Sequence, residues 1–521
     1  MRGRAAARAA WPFALLALAW LLTVVRVVGL AGLRDPMFLY WHDWQDQGLY
    51  VRSASALAAG NLDPALHYYP LLYPVLGLPF LNVWPSQPFF FANLACYLLA
   101  FHGFRGVARA FGLPLWGAVL LFGATTLAQF DIAKLWIEPW TTTPAAALLW
   151  VALGAMARLW DFTAPRPPAL PSLGRGSGAT RDRARSSAII LGLSLGLLPF
   201  ARPGDAIIGA IIALAAAAAL YRARDLRAAC HAIGAFAVAF ALFGAVFVAI
   251  YGFGPSPYMR YSALYGFNFA WFGWKAYVLL VDPRAWFGEG MGLLEYAPWL
   301  LLGGAGLIAA AVATPRARRP VTLAVAAAGV TYAVLMLAYV DLLPTGLWRF
   351  NNLHYFKWVF PLFGLFALRF VLDARRRPIL LGALAPVLLA LTIRLAPVLV
   401  PGDVPARMVV FPAPREAKWL PTYFATAWLT DARGEQRNSF DYHQILVDGR
   451  VRAVALRRPF AGNERWLGDD RVRAQLEGKD IGGYAPLYLT GPWPKTPLAR
   501  YAIQVSFGLP AWFRDPATPS P

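Results

Sequence analysis

The residues best placed to do chemistry lie between the first and second apolar runs. There the sequence reads Trp41-His42-Asp43-Trp44-Gln45-Asp46-Gln47-Gly48-Leu49-Tyr50, and small residues, Gly60, Tyr68-Tyr69-Pro70 and Tyr73-Pro74 follow. Carboxylates beside aromatic rings at the head of a short amphipathic helix suit a sugar site. The ring faces pack on sugar, and the carboxylates accept hydroxyl hydrogen bonds. A second reading stays open, in which Asp43 and Asp46 cap that helix and meet its dipole. His42 and His67 flank the same loop. A divalent ion shared with Asp43 or Asp46 is conceivable, but no ligand spacing marks a metal site, and the expectation is no essential metal and no cofactor.

The elements that position this loop are membrane helices. The chain has 521 residues, 59% hydrophobic and only 14% charged, far more apolar surface than one soluble core buries. Apolar runs of about 20 residues recur up to about residue 400, each long enough as a helix to cross the ~30 Å hydrocarbon layer. The net charge of +21 sits mostly on arginines gathered between these runs, with only six lysines. That is the positive-inside pattern of a membrane protein, and no nucleic-acid partner is expected.

If the basic N-terminus is cytoplasmic, then Arg105, Arg109 and the arginines of 166–185, 222–227, 316–319 and 375–377 should be cytoplasmic too. About eleven helices satisfy this parity, over 11–32, 86–104, 113–130, 138–158, 187–201, 204–221, 231–252, 296–314, 321–340, 355–372 and 379–400. The stretch 69–84 is then an interfacial or re-entrant segment outside. Ala201-Arg202-Pro203-Gly204 breaks one apolar stretch into two helices around an outward turn. Cys96 and Cys230 lie far apart within expected spans, which excludes a disulfide framework or a cysteine zinc site.

The expected fold is therefore an all-α polytopic bundle over residues 1–400, with an outer-face loop at 33–85. A small extracytoplasmic α+β domain is expected over 401–521. Within it 444–451 and 501–507 read as strands around turns, and 471–476 as helical. Composition rich in Ala, Arg, Gly and Pro points to a bacterial inner membrane.

An ordered set of patches resembles the GT-C superfamily of membrane glycosyltransferases, the class of protein O-mannosyltransferases and lipid A aminoarabinose transferases. Asp46, Tyr50, the small residues 54–59, Gly60 and Tyr69-Pro70-Leu71-Leu72-Tyr73-Pro74 match its first outer loop in order. Ile137-Glu138-Pro139-Trp140, with Asp131 just upstream, resembles its acidic residue at the outer end of the fourth helix. The glycine-rich stretch 192–200 before Arg202-Pro203 resembles its short helix ending in a basic residue. Weaker patches are Gly292-Leu293-Leu294-Glu295-Tyr296-Ala297-Pro298 and the Trp-rich stretch 348–361. There His354-Tyr355 stands where relatives often carry Arg-Tyr. The likeness covers about residues 10–370, and its weight lies in the order and shared face of short motifs.

The resemblance implies a GT-C-like bundle that transfers a sugar from a polyprenyl-phosphate carrier to an acceptor outside the cytoplasm, with inversion. Asp46 would be the base, with Asp43 beside it, and Glu138 would orient sugar or acceptor. Tyr50 would belong to the substrate site. Arg202 and one or more of Arg349, His354 and Lys357 would hold the departing phosphate. Each has a plainer role open to it: Glu138 as a cap, Arg202 as a headgroup contact, Lys357 as an interfacial anchor. The implied partners are the lipid-linked donor, the bilayer, and a glycan, lipid or protein acceptor. A transporter, or a non-catalytic lipid- or polysaccharide-binding protein, is the alternative. Carboxylates are nearly absent from the spans, which disfavours a midplane transport site.

Overall fold

The structure is a computed structural model. It describes residues 2–34, 45–163, 177–265, 292–314, 318–339 and 352–374, single positions between 267 and 281, and short strands between 423 and 486. The helices used below are α1 (Arg2–Arg34), α2 (Gln45–Ala58), α3 (Leu72–Gly77), α4 (Phe90–Ala110), α5 (Leu115–Leu127), α6 (Phe130–Ile137) and α7 (Thr142–Thr163). After them come α8 (Ser177–Ala201), α9 (Ala206–Ala223), α10 (Leu226–Tyr251), α11 (Pro257–Tyr265), α12 (Leu293–Tyr296), α13 (Trp299–Ala313), α14 (Arg319–Ala338) and α15 (Val359–Ala374).

Every expected span from 11–32 to 355–372 has a helix over it, while 379–400 lies outside the described residues. Among the described residues, six helices are long and apolar enough to cross a membrane, or seven if the bent pair α5 and α6 is one span. Their outward faces are apolar. Leu15, Leu18, Leu22, Leu214, Ile233 and Leu242 are exposed, a liability in water and the ordinary condition in lipid.

One element is a surprise. Residues 130–137, read from sequence as a loop, form α6, which lies at 94° to α5. The break falls at Ala128-Gln129, where Gln129 is extended (φ −95°, ψ 130°). Trp20 of α1 donates its indole N–H to the Trp136 carbonyl (3.3 Å), which holds α6 under the bundle. Asn93 of α4 donates to the Ile137 carbonyl (2.7 Å) and accepts from the Tyr73 hydroxyl (2.7 Å). The Tyr-Pro segment, α4 and the end of α6 are thereby tied together.

α4 and α7 touch backbone to backbone. A Cβ on Gly103 would collide with the Trp150 carbonyl, and one on Gly154 with Gly103, so only glycine permits this crossing. The segment 69–84, expected to be interfacial, folds as α3 and a 3-10 turn, Leu78–Phe80. Among the described residues, Arg109 and Arg318 come together near the C-terminal end of α7. Arg318 lies against Gly112, and the charges of Arg109 and Arg318 act on Asp161 near the end of α7.

The described strands are β1 (Tyr423–Ala425), β2 (Leu429–Thr430), β3 (Gln436–Arg437), β4 (Phe440–Val447), β5 (Arg450–Arg457) and β6 (Tyr484–Pro486). β1, β4, β5 and β6 form an antiparallel sheet in that order, and β2 pairs with β3. Val447 pairs with Arg450, so the described residues of the stretch 444–451 fall on two paired strands, β4 and β5. The expected strand 501–507 and helix 471–476 lie outside the described residues.

The chain divides into two compact units. One comprises Met1–Arg260, Leu302–Tyr332 and His354–Arg376, the other Tyr261–Leu301, Ala333–Leu353 and Arg377–Pro521. Every described residue of the candidate site lies within the first.

Candidate active site

Asp46 sits in the first turn of α2, half-buried. The helix ends where Gly60 turns left-handed (φ 67°). Gly60 N–H bonds the Leu57 carbonyl and Asn61 N–H the Ala56 carbonyl, a closure that suits glycine because it lacks a Cβ. A 3-10 turn (Pro64–Leu66), capped by the Asp63 side chain, then returns the chain. Tyr69 thus comes back against the start of α2, and its hydroxyl donates a 2.6 Å hydrogen bond to Asp46 Oδ1. Burial and the Asp46 charge both push the Tyr69 phenol above its ordinary value, so it stays a donor.

Tyr50, one turn after Asp46, is 1% exposed and packs edge-to-face on Tyr69 and Tyr73 (centroids 4.8 and 5.3 Å). It thus forms the aromatic floor that fixes Tyr69. His67 is fully buried, with Nδ1 2.8 Å from Ser53 Oγ and Nε2 2.9 Å from the Asn61 carbonyl. Both ring nitrogens are engaged by the loop itself. Among the described residues no three His, Cys, Asp or Glu side chains group as metal ligands, and His42 and Asp43 lie outside the described residues. The two cysteines are unpaired.

Glu138 caps the C-terminus of α6 and is 2% exposed. Its Oε2 accepts the Trp140 indole N–H (3.2 Å), and Lys134 Nζ lies 3.4 Å from Oε1. Burial pushes this carboxyl up to about 7, against the pull of Lys134. Gln47 Nε2 donates to the Pro139 carbonyl (3.1 Å), a buried contact that pins the start of α2 to the residue after Glu138. The two acidic patches are therefore one structure.

Arg202, in the turn between α8 and α9, is 4% exposed. It donates to the Tyr332 hydroxyl (2.7 Å), lies 3.5 Å from Asp205, and stacks over the Tyr355 ring at 4.3 Å. Burial opposes its charge, yet these neighbours and Tyr258 hold the guanidinium above its ordinary value. Tyr258 in turn packs on Tyr69, centroids 5.4 Å apart.

His354 stacks flat on Trp140 (3.9 Å, 8°), and its Nδ1 is 3.1 Å from Thr142 Oγ1. Burial, with the positive charges of Lys357 and Arg202, pulls its pKa well below the ordinary value, so it is neutral. Lys357 is fully buried. It donates to the Leu135 carbonyl (2.5 Å) and Thr143 Oγ1 (2.7 Å), a clamp from the last turn of α6 to the first turn of α7. Burial lowers its pKa too, with Glu138 as the opposing charge. Arg349 lies outside the described residues.

These contacts close a circuit. Asp46 leads by contact through Tyr69 to Tyr258, which acts on Arg202 electrostatically; Arg202 leads by contact through Tyr355, His354 and Trp140 to Glu138, and Pro139 returns through Gln47 to the residue beside Asp46. Two carboxylates, a fixed cation and aromatic faces stand together at the end of the bundle opposite Arg109, Arg222 and Arg318.

No protein-family model matches the chain, and no curated protein does. Among solved structures it is similar to ArnT from Cupriavidus metallidurans bound to undecaprenyl phosphate. That match has 15% identity and a TM-score of 0.46, over 69% of this chain and 59% of that one. It is also similar to the archaeal oligosaccharyltransferase AglB from Archaeoglobus fulgidus in complex with an inhibitory peptide and a dolichol-phosphate. Identity there is 14% and the TM-score 0.39, over 71% of this chain and 52% of that one.

Sequence reasoning passed over several members of the circuit. Gln47 was readable as a polar residue on the inward stripe of α2, shared with Tyr50 and Ala54 at helical spacing. Tyr258 carries no such signal, because aromatic residues at helix ends are common in any membrane protein, and Tyr332 lies within the apolar run of α14.

Proposed function

We propose that the chain is a glycosyltransferase that moves a sugar from a polyprenyl-phosphate carrier to an acceptor hydroxyl, with inversion. The reaction takes place at the membrane face that bears the circuit. The observation that carries this reading is the circuit itself, in which Asp46, Glu138 and Arg202 come together from three distant stretches.

Asp46 accepts the acceptor's hydroxyl proton as that oxygen bonds to the anomeric carbon. The bond from that carbon to the phosphate oxygen breaks on the opposite side, and the electron pair leaves with the phosphate. Arg202 stabilises the charge gained there, with a permanent cation and a two-pronged donor geometry. Glu138 orients the sugar through its hydroxyls. His354, being neutral, contributes hydrogen bonding and position rather than charge. Lys357 sets the α6–α7 corner, Asp43 stands near Asp46 in sequence, and Arg349 is a second candidate for the phosphate. The mechanism routes no step through a metal. The expected setting is a bacterial inner membrane, with a cytoplasmic N-terminus and the circuit outside.

The test is transfer of radiolabelled sugar from a panel of undecaprenyl-phosphate sugars to glycan, lipid and peptide acceptors by purified protein, with and without EDTA. Turnover that Asp46→Asn abolishes, in a variant that elutes and melts like the wild type, supports both class and base. Turnover that survives keeps the class and moves the base elsewhere. No transfer across the panel by folded protein overturns the enzymatic reading in favour of transport or binding.

A further inference from the structure

At the opposite end of the bundle, α8, α9 and α10 enclose a groove of about 860 Å³, within the ~300–1,000 Å³ range of binding pockets. Its floor is the crossing of α8 and α10. Gly192 and Gly196, spaced one turn apart, let α8 approach so closely that a Cβ on Gly192 would strike the Ala232 carbonyl. The walls carry Leu191, Ala213, Ala217, Ile233 and Phe236, almost wholly apolar. Close-packed helices do not leave such a volume empty in a bilayer, and its occupant must be apolar over most of its length.

The mouth is different in kind. It is formed by Tyr221, Arg222 and Arg224 at the α9–α10 turn, and all three are exposed. Asp225, the neighbouring acid, is occupied in capping α10 through the Ala228 N–H. Among the described residues neither arginine enters an ion pair. Arg224 caps α9 in the left-handed region, at φ 51°, where a Cβ is strained and glycine is the usual resident. The strained position brings a guanidinium to the mouth of an apolar groove.

We propose that this groove binds one anionic diacyl phospholipid from the leaflet that the arginine-rich turns face, with its chains between the helices and its phosphate at Arg222 and Arg224. Basic mouths of apolar grooves between membrane helices are where acidic headgroups gain both charge and burial. The site is separate from the sugar chemistry. α9 alone, Ala206–Ala223, places about 27 Å between its two ends, so a phosphate at Arg224 is nearly a membrane thickness from Arg202.

The test is native mass spectrometry of the full chain in mild detergent, with phosphatidylglycerol, phosphatidylcholine or undecaprenyl phosphate added in turn. One phosphatidylglycerol per chain is expected to be retained in preference to phosphatidylcholine. Retention should fall about fivefold for each arginine removed, hence about 25-fold in Arg222→Gln with Arg224→Gly. Arg224→Gly relieves the backbone, so a lower melting temperature is not expected, and Arg224→Lys should keep the lipid. Equal retention of the neutral lipid, retention unchanged in the double variant, or preferential capture of undecaprenyl phosphate each overturns the proposal.

Discussion

Tyr69 donates to Asp46 across 23 positions of sequence, and the 2.6 Å bond is the contact that fixes the orientation of the proposed base. Hydrogen bonds to charged groups contribute about 1.5–3 kcal/mol, so Tyr69→Phe should lower turnover roughly 10- to 100-fold. Donor KM should change little, because the ring and its packing on Tyr50 and Tyr258 remain. Steady-state kinetics of the variant check this. An unchanged kcat would show that Asp46 needs no support from the phenol.

Arg202 is wedged between Tyr332, Tyr355 and Asp205. Removing its charge outright strands Asp205, a loss of about 3–5 kcal/mol for a broken buried pair, so Arg202→Gln would confuse folding with binding. Arg202→Lys is the informative change, since it keeps the charge and loses the planar fork. The expected outcome is a donor KM raised about tenfold with the melting temperature nearly kept.

The helices over the apolar runs from 11–32 to 355–372 were readable because lipid imposes a length that each run displays locally. Asp46, Glu138 and Arg202 stand out only through the ordered short motifs of the family resemblance, and their roles belong to the proposal. α6 was not readable, because the 94° bend at Ala128-Gln129 has neither proline nor glycine to announce it. Nor was the joining of the acidic patches, because Gln47 meets a backbone carbonyl, and a carbonyl has no sequence signature.

Glu138 titrates near neutrality because burial raises its carboxyl to about 7. A carboxyl is ionised above its pKa, and only the carboxylate is an acceptor at both oxygens and a countercharge for Lys134. Activity should therefore rise through about pH 7 and be small at pH 5.5 to 6. Glu138→Gln should lower the plateau and remove this inflection. A pH-rate profile at saturating donor decides it, and an inflection that persists in the variant belongs to another group.

Gln47 links the two carboxylate patches and keeps one atom in reserve. Its Nε2 is committed to the Pro139 carbonyl, while Oε1 is buried without a hydrogen-bond partner among the described residues. A buried carbonyl oxygen without a donor costs about 1–3 kcal/mol, a cost that a sugar hydroxyl pointing at it removes on binding. Gln47→Leu preserves volume and eliminates both roles. The tether is a single neutral hydrogen bond, so the stability change should be small, about 1 kcal/mol. Turnover should fall by about tenfold or more, because the Asp46 and Glu138 loops lose their common register. Gln47→Glu separates the two effects: it keeps the acceptor oxygen but cannot donate to Pro139. If the tether dominates, both variants fail alike in kcat; if sugar contact dominates, Gln47→Glu retains donor binding that Gln47→Leu loses, and parallel kinetics with one donor distinguish the two.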